Sequence, residues 1–402
     1  SRAALNNCAR RSSRGSLALS LLIGRILMAE SLDMKPIVEP GRELSGDEKE
    51  RFSRHILIPE IDAIGQMRIV NSKVLCIGAG GLGSPTIMYL AAAGVGEIGI
   101  LDFDRVDISN LQRQIIHTQA DLGKSKAQSA KEKTLALNPT VKVNLHEVRL
   151  VTSNALEIFK DYDLIIDCTD NFATRYLVND AAAILGKPYV WGSIYQFDGQ
   201  VSVFWSKSGP CYRCLHPTPP PAGSVPSCAE GGVLGVLCGA IGSIQTSEAI
   251  KLITGIGDSL LGNLLIFDAL STSYTKVGIK KSANCPICNG QQQELLADYD
   301  AFCGLPDAIT PQQLQQINDC LIVDVREPAE HEAQSIPGAV LIPKHKFVDR
   351  SALEVLPRDR QIVLYCLSGI RSAQSLEILK SAGFTKATHL KGGILAWEES
   401  KK

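Results

Sequence analysis

The sequence lacks an excess of charge of either sign. Its 41 Lys and Arg nearly balance 42 Asp and Glu, leaving a formal charge of −1, so there is no basic field of the kind that direct nucleic-acid binding requires. It also lacks a long apolar run: no uncharged stretch reaches the roughly 18 residues of a spanning helix, and no membrane role is expected. The composition of a disordered chain is absent too, since 45% of the residues are hydrophobic and 402 residues suffice for two or three domains. The first 29 residues contain no Asp or Glu but five Arg, with a short apolar stretch from Leu17 to Ile23. They read as an organelle transit segment or, because the first methionine is Met28, as sequence upstream of the start. On both readings residues 1–43 are a leader expected to lie outside the fold.

Cysteine, by contrast, is plentiful. Twelve cysteines in a chain this long, with two separated C-x-x-C pairs, read as metal ligands and reactive thiols rather than disulfides. A reducing, cytoplasmic setting is expected.

Lys73 to Ile77 reads as a short apolar strand, followed by Gly78-Ala79-Gly80-Gly81-Leu82-Gly83. Ser84 and Pro85 then predict the cap and first position of a helix that runs to Gly94. Strand, glycine turn and helix form the setting in which amides at a helix N-terminus meet phosphate oxygens. A second strand, Ile98 to Leu101, ends in Asp102, placed to accept hydrogen bonds from a ribose. The glycine pattern alone would suit an NAD-dependent dehydrogenase. The residues after it argue otherwise: Asp102 to Gln114 is too polar for a hydride pocket, and Lys124 and Lys126 open the next helix. A carboxylate, an amide, a guanidinium and an ammonium together suit a triphosphate undergoing displacement, where developing charge must be stabilised.

Cys211-Tyr-Arg-Cys214 and Cys285-Pro-Ile-Cys288 have the spacing that lets both thiolates of a pair reach one tetrahedral ion. Four thiolates leave no open position, so the expected ion is a structural zinc; redox-active pairs are the alternative. Between the pairs lies a proline-dense segment, Pro217 to Cys228, that can be neither helix nor central strand. Cys228 therefore sits on a loop fit to approach an activated substrate, whereas Cys76, Cys168 and Cys238 sit in apolar runs and read as buried thiols.

From Gln291 the composition turns to Gln and acid, as in a linker. Thr310-Pro311 then starts a helix, Leu321 to Glu327 is a buried strand ending in charge, and Ser335 to Val340 is a turn into a strand. Ile362 to Tyr365 is a strand running straight into Cys366, with a helix from Ser372 to Ala382 behind it. A cysteine between a buried strand and a helix N-terminus has its thiolate stabilised by loop amides, by the helix dipole and by a nearby Arg371.

Two resemblances cover nearly all of residues 44–398. The segments GAGGLGSP, LDFDRVDISNLQRQ, Asp170-Asn171 and the stretch from Arg51 to Glu60 resemble the ubiquitin-activating superfamily, in particular the adenylyltransferases that activate small sulfur-carrier proteins. The resemblance implies that Gly81, Asp102, Ser109, Asn110, Leu111, Gln112, Arg113, Lys126, Asp170 and Asn171 line an ATP site, with Asp170 the ligand of Mg2+. It also implies that Arg54 reaches the ATP of a partner subunit in a homodimer, and that Cys228 bonds to the carrier or its sulfur. Where that family commonly has Tyr, this chain has Phe52. DVREPAEHE, IPGAVLIP, CLSGIRS and the closing KGGILAW resemble the rhodanese family. Tyrosine-phosphatase-like proteins place their arginine six positions after the cysteine; here Arg371 is five after Cys366, a tighter loop that fits a single extra sulfur.

The order of the two halves is that of the eukaryotic molybdenum-cofactor sulfurylases that also serve the ubiquitin-related modifier. The implied fold is α/β: a Rossmann-like, ubiquitin-activating-type adenylation domain with structural zinc over residues 44–290, a linker at 291–304, and a rhodanese α/β domain over 305–402. The implied enzyme adenylates the C-terminal glycine of small ubiquitin-like carriers ending in Gly-Gly and sulfurates it from Cys366, with Arg371 and Cys228 assisting. It would be loaded by a donor such as a cysteine desulfurase and serve molybdenum cofactor biosynthesis and tRNA 2-thiolation. A ubiquitin-type activator holding its substrate as a thioester on Cys228 is the main alternative.

Overall fold

The computed structural model describes residues 35–220, 232–303, 308–317 and 319–401, and they divide into two compact units. The first is built on strands β1 (Lys73–Ile77) and β2 (Glu97–Leu101), joined by helix α1 (Gly83–Ala93). Helix α2 (Lys126–Leu137) leads to β3 (Lys142–His146), and β4 (Leu164–Asp167) is followed by α3 (Phe172–Ile184), whose residues up to Leu177 group with the second unit. Strands β5 (Tyr189–Tyr195) and β6 (Asp198–Phe204) come next, then helix α4 (Gly235–Thr254) and the pair β7 (Asn263–Asp268) and β8 (Ser273–Gly278). The eight strands form one sheet in the order β3-β2-β1-β4-β5-β6-β7-β8. The first five are parallel and the last three antiparallel.

Strands β1 and β4 are near-continuous apolar runs because both their faces are covered. Four of the five residues of β1 and all four of β4 are buried. Helix α1 ends at Gly94, φ +85°, where an added Cβ would lie 2.3 Å from the Phe52 ring. Phe52 is itself 3% exposed, so its ring is packed against this bare helix end. Helix α4 is, among the described residues, the one helix long and apolar enough to cross a membrane by length and composition. Here it packs on α1, β5 and β6, burying Leu237, Ile241, Leu252 and Ile253 in the main core, each worth about 1.5–3 kcal/mol.

Three local expectations are corrected. Helix α1 begins at Gly83, not with Ser84 as cap; the Ser84 hydroxyl donates to Gly80 O at 2.7 Å, and Pro85 falls where the missing N–H costs nothing. Lys124 precedes α2, which Ser125 caps by accepting from the Gln128 amide. Residues 35–43 are not outside the fold: Ile37 N donates to Leu252 O, Val38 packs in the core, and Arg42 binds both oxygens of Glu48.

In the second unit, strand β9 (Ala308–Ile309) precedes α5 (Pro311–Gln316), opened by a reciprocal Thr310–Gln313 capping box. Then follow β10 (Leu321–Asp324), α6 (Pro328–Ala333), β11 (Val340–Leu341), β12 (Ile362–Tyr365), α7 (Ile370–Ser381), β13 (Ala387–Leu390) and α8 (Gly393–Glu399). The sheet is parallel throughout, ordered β11-β10-β12-β13-β9, with β12 buried at its centre. The strand expected to reach Glu327 stops at Asp324, and the helix expected from Ser372 starts at Ile370. The segment expected as linker is ordered in part. Tyr299–Phe302 is a helical turn, Tyr299 and Cys303 are buried, and Asp300 pairs with Lys391 at 2.6 Å.

Candidate active sites and metal centre

The glycine loop leaves β1 at Gly78, φ +96°, a conformation open to glycine. A Cβ on Gly83 would lie 1.9 Å from Gly78 O, and one on Gly81 2.7 Å from Cys238 Sγ; the loop folds only because these positions are bare. Asp102, at the end of β2, is 8% exposed. Its Oδ2 accepts from Ala79 N and its Oδ1 from Asp104 N, each at 2.8 Å. Burial pushes its pKa up, opposed chiefly by the Lys126 charge. Asp102 thus ties the glycine loop to the adjacent strand end, a bond its reading as a ribose acceptor did not include.

Past Asp102 the chain makes a tight polar crossover. Asp107 Oδ1 accepts from both the hydroxyl and the amide of Ser109, and Asn110 Oδ1 accepts from Asp107 N. Arg113 Nη1 donates to Ser109 O, and its Cγ is the nearest crossover atom to the position a Cβ would take on Gly81. Gln112 packs its carbonyl against Gly235 at the start of α4, and Lys126 Nζ lies 3.0 Å from Asp104 Oδ2. Gly81, Asp102, Arg113 and Lys126 are therefore gathered around one loop, with Ser109, Asn110, Leu111 and Gln112 on the turn that delivers Arg113. Asp170 and Asn171 follow β4 and are exposed. Asn171 Oδ1 accepts from Thr174 N, a helix-capping bond. Arg54 is exposed on the turn Ser53–Ile56, and Cys228 lies outside the described residues.

The four sulfurs of Cys211, Cys214, Cys285 and Cys288 lie within 4.8 Å of one another. Three of the separations are 3.9 Å (211–214), 3.5 Å (211–285) and 3.6 Å (214–288). Tetrahedral zinc with bonds of about 2.3 Å needs sulfurs about 3.8 Å apart, so the residues fit the ion. Two buried polar groups on α3 hold the knuckle: Asp180 binds Arg213 through two bonds of 2.7–2.8 Å, and Asn179 Oδ1 accepts from Tyr212 N. Neither was singled out from the sequence, where Asp180 sits in an ordinary helical pattern.

In the second unit Cys366 is 1% exposed. Gly369, φ +97°, turns its amide onto Cys366 Sγ at 3.1 Å, and Ser372 Oγ approaches the sulfur at 3.7 Å. Gly393 backs the loop so closely that a Cβ there would lie 2.4 Å from Cys366 O. Arg371 gives both terminal nitrogens to Glu330, at 2.6 and 2.7 Å. That pairing is the main influence raising the Arg371 pKa, with the charge of Cys366 a smaller one. Asp324 at the end of β10 accepts from the Arg326 amide and guanidinium and from His331 Nδ1. Burial would raise its pKa, but these partners outweigh it and hold the carboxyl low. Glu330 and His389, which meets Ser372 Oγ at 3.3 Å, were missed in the sequence because their partners lie 41 and 17 residues away.

Residues 52–287 match the ThiF family and residues 310–400 the Rhodanese-like domain. The "Probable adenylyltransferase/sulfurtransferase MoeZ" of Mycobacterium tuberculosis is 54% identical over 91% of this chain and 97% of its own. The "Adenylyltransferase and sulfurtransferase MOCS3" of Drosophila ananassae is 41% identical over 88% of this chain and 84% of its own. The "Sulfur carrier protein adenylyltransferase" of Thermus thermophilus is 51% identical over 64% of this chain and 98% of its own. Among solved structures, E. coli MccB with ATP shares the fold over 62% of this chain and 77% of that one, with a TM-score of 0.53 and 21% identity. The chain belongs to the ThiF family and, with its rhodanese-like domain, is an adenylyltransferase and sulfurtransferase.

Proposed function

We propose that the protein adenylates the C-terminal glycine of a small ubiquitin-like sulfur-carrier protein ending in Gly-Gly and converts it to a thiocarboxylate. The observation that carries this reading is a phosphate-type glycine loop with Arg113 beside Gly81 and Lys126 paired to Asp104 nearby, in the same chain as a cysteine whose loop amide points at its sulfur. A free carboxylate is a poor electrophile, so activation comes first. The carrier carboxylate attacks ATP, pyrophosphate leaves, and an acyl adenylate remains. Gly81, Asp102, Ser109, Asn110, Leu111, Gln112, Arg113, Lys126, Asp170 and Asn171 would line this site. Asp170 would hold Mg2+, which neutralises charge on the phosphates. Arg54 would serve the site of a partner subunit in a homodimer.

Cys366, carrying a persulfide received from a donor such as a cysteine desulfurase, attacks the acyl adenylate and releases AMP. Gly369 N–H and Ser372 Oγ would stabilise the Cys366 thiolate that takes up the sulfur and is regenerated on reduction, and Arg371 would steady the loop through Glu330. The Cys228 thiolate then attacks the Cys366 sulfur, forming a Cys228–Cys366 disulfide and expelling the carrier thiocarboxylate; a cellular dithiol reduces the enzyme. Zinc held by Cys211, Cys214, Cys285 and Cys288 would be structural. The products would serve molybdenum cofactor biosynthesis and tRNA 2-thiolation in the cytoplasm.

Exchange of labelled pyrophosphate into ATP tests the first step. Exchange that requires the carrier and is lost when its terminal glycine is removed is expected; exchange indifferent to the carrier would overturn the reading.

A further inference from the structure

A buried histidine that the chemistry above leaves unused fixes the glycine loop from below. His117, in the crossover, is 5% exposed. Its Nε2 lies 3.0 Å from Ala79 O and its Nδ1 2.9 Å from Ser129 Oγ on α2. A carbonyl oxygen only accepts, so Nε2 carries the proton and donates; Nδ1 is then the acceptor of the Ser129 hydroxyl. The neutral ring satisfies both partners, and burial accordingly lowers the His117 pKa, against a smaller opposing effect of the Ala79 bond.

On its other side Ala79 gives its N–H to Asp102 Oδ2, so both backbone polar groups of this residue are taken. The peptide is planar and trans; a carbonyl held toward His117 turns the Gly80 N–H the opposite way. Among the described residues, the Gly80 and Gly81 amides donate to no protein acceptor. Ala79 is flanked by Gly78 and Gly80, which impose no preference on the peptide orientation, and the orientation must come from outside the loop.

We propose that His117 is a positioning residue for adenylation: by holding the Ala79 carbonyl it aims the Gly80 N–H at a nucleotide phosphate. This rests on the reading that the glycine loop holds ATP. The test is calorimetric titration of the full chain with ATP and magnesium, with thermal unfolding of each protein recorded without nucleotide. His117→Gln keeps a donor near the Nε2 position; His117→Asn keeps polarity near Nδ1 but cannot reach Ala79. Weakening of ATP binding by about tenfold in the Asn variant, the worth of one hydrogen bond to an anion, and by no more than about threefold in the Gln variant is expected, at similar losses of Tm. Equal affinities in the two variants, or wild-type affinity in the Asn variant, would overturn the role of His117. Hydrogen exchange of the wild-type protein separates this from the underlying reading: ATP that binds without protecting amides 78–84 would overturn the nucleotide site itself.

Discussion

Two strand–loop–helix turns would carry the proposed chemistry, and they solve opposite problems. The loop after β1 keeps the Gly80 and Gly81 amides open. Its glycines are bare because backbone and Cys238 press against them, and its charged groups, Arg113 and Lys126, come from the crossover beside it. The loop after β12 closes on one atom: Gly369 N points at Cys366 Sγ, and Arg371 is tied to Glu330. An open ring of donors suits an extended polyanion, whereas a collapsed one suits a single sulfur. Both loops share one anchor. An aspartate at the end of the neighbouring strand accepts from the amide two residues on, Asp102 from Asp104 and Asp324 from Arg326. The difference lies in what completes each: Asp102 spends its second oxygen on the glycine loop, Asp324 on a buried guanidinium and an imidazole.

If the two loops are separable machines, Cys366→Ala abolishes persulfide loading, read from the mass of the intact enzyme, while carrier-dependent pyrophosphate exchange stays within about twofold, far below the tenfold that 1.4 kcal/mol represents. Loss of exchange in that variant would break the comparison. Removing the ion that Cys211, Cys214, Cys285 and Cys288 are built to hold should cost the first unit several kcal/mol. In calorimetry its transition moves down on chelation, and an unmoved transition would count against a structural metal.

Gly83→Val places atoms where Gly78 O already sits. A fall in exchange on the order of a hundredfold, about 2.7 kcal/mol, is expected, with the alkylation rate of Cys366 unchanged; undiminished exchange would show the loop to be dispensable. A smaller effect sharpens the contrast through pH. Burial holds His389 down at about 4, with Asp300 opposing and Lys391 assisting. The unfolded chain, near 6.5, therefore binds the proton first, so stability present above about pH 6.5 is lost as pH falls toward 4. The loss is at most about 3 kcal/mol. His389→Asn should flatten Tm across that window, and an unchanged slope would assign it elsewhere.

Much of this was legible in the chain because it rests on short covalent spacing. The β1–α1 and β12–α7 turns, the two cysteine pairs and the Thr310 cap are all written within a few residues. What escaped depends on distant partners. Glu330 looks like a surface acid until it meets Arg371, and His117 like an isolated ring until Ala79 and Ser129 close on it. The antiparallel strands β6 to β8 carry no signal of their sheet order, since β8 is exposed at every position and reads as loop. Ser84 misled because a hydroxyl before a proline looks like a cap, while the true start is set by Gly83 passing under Gly78.

The central claim is that one chain activates a carboxyl terminus at the first loop and sulfurates it from the second. Incubating the enzyme with ATP, magnesium, a persulfide donor and a carrier ending in Gly-Gly, and weighing the carrier intact, tests it directly. The account predicts a mass gain equal to exchanging one oxygen for one sulfur, replaced in Cys366→Ala by an AMP adduct alone. A competent carrier whose mass does not change, or one sulfurated as well by Cys366→Ala, would contradict it.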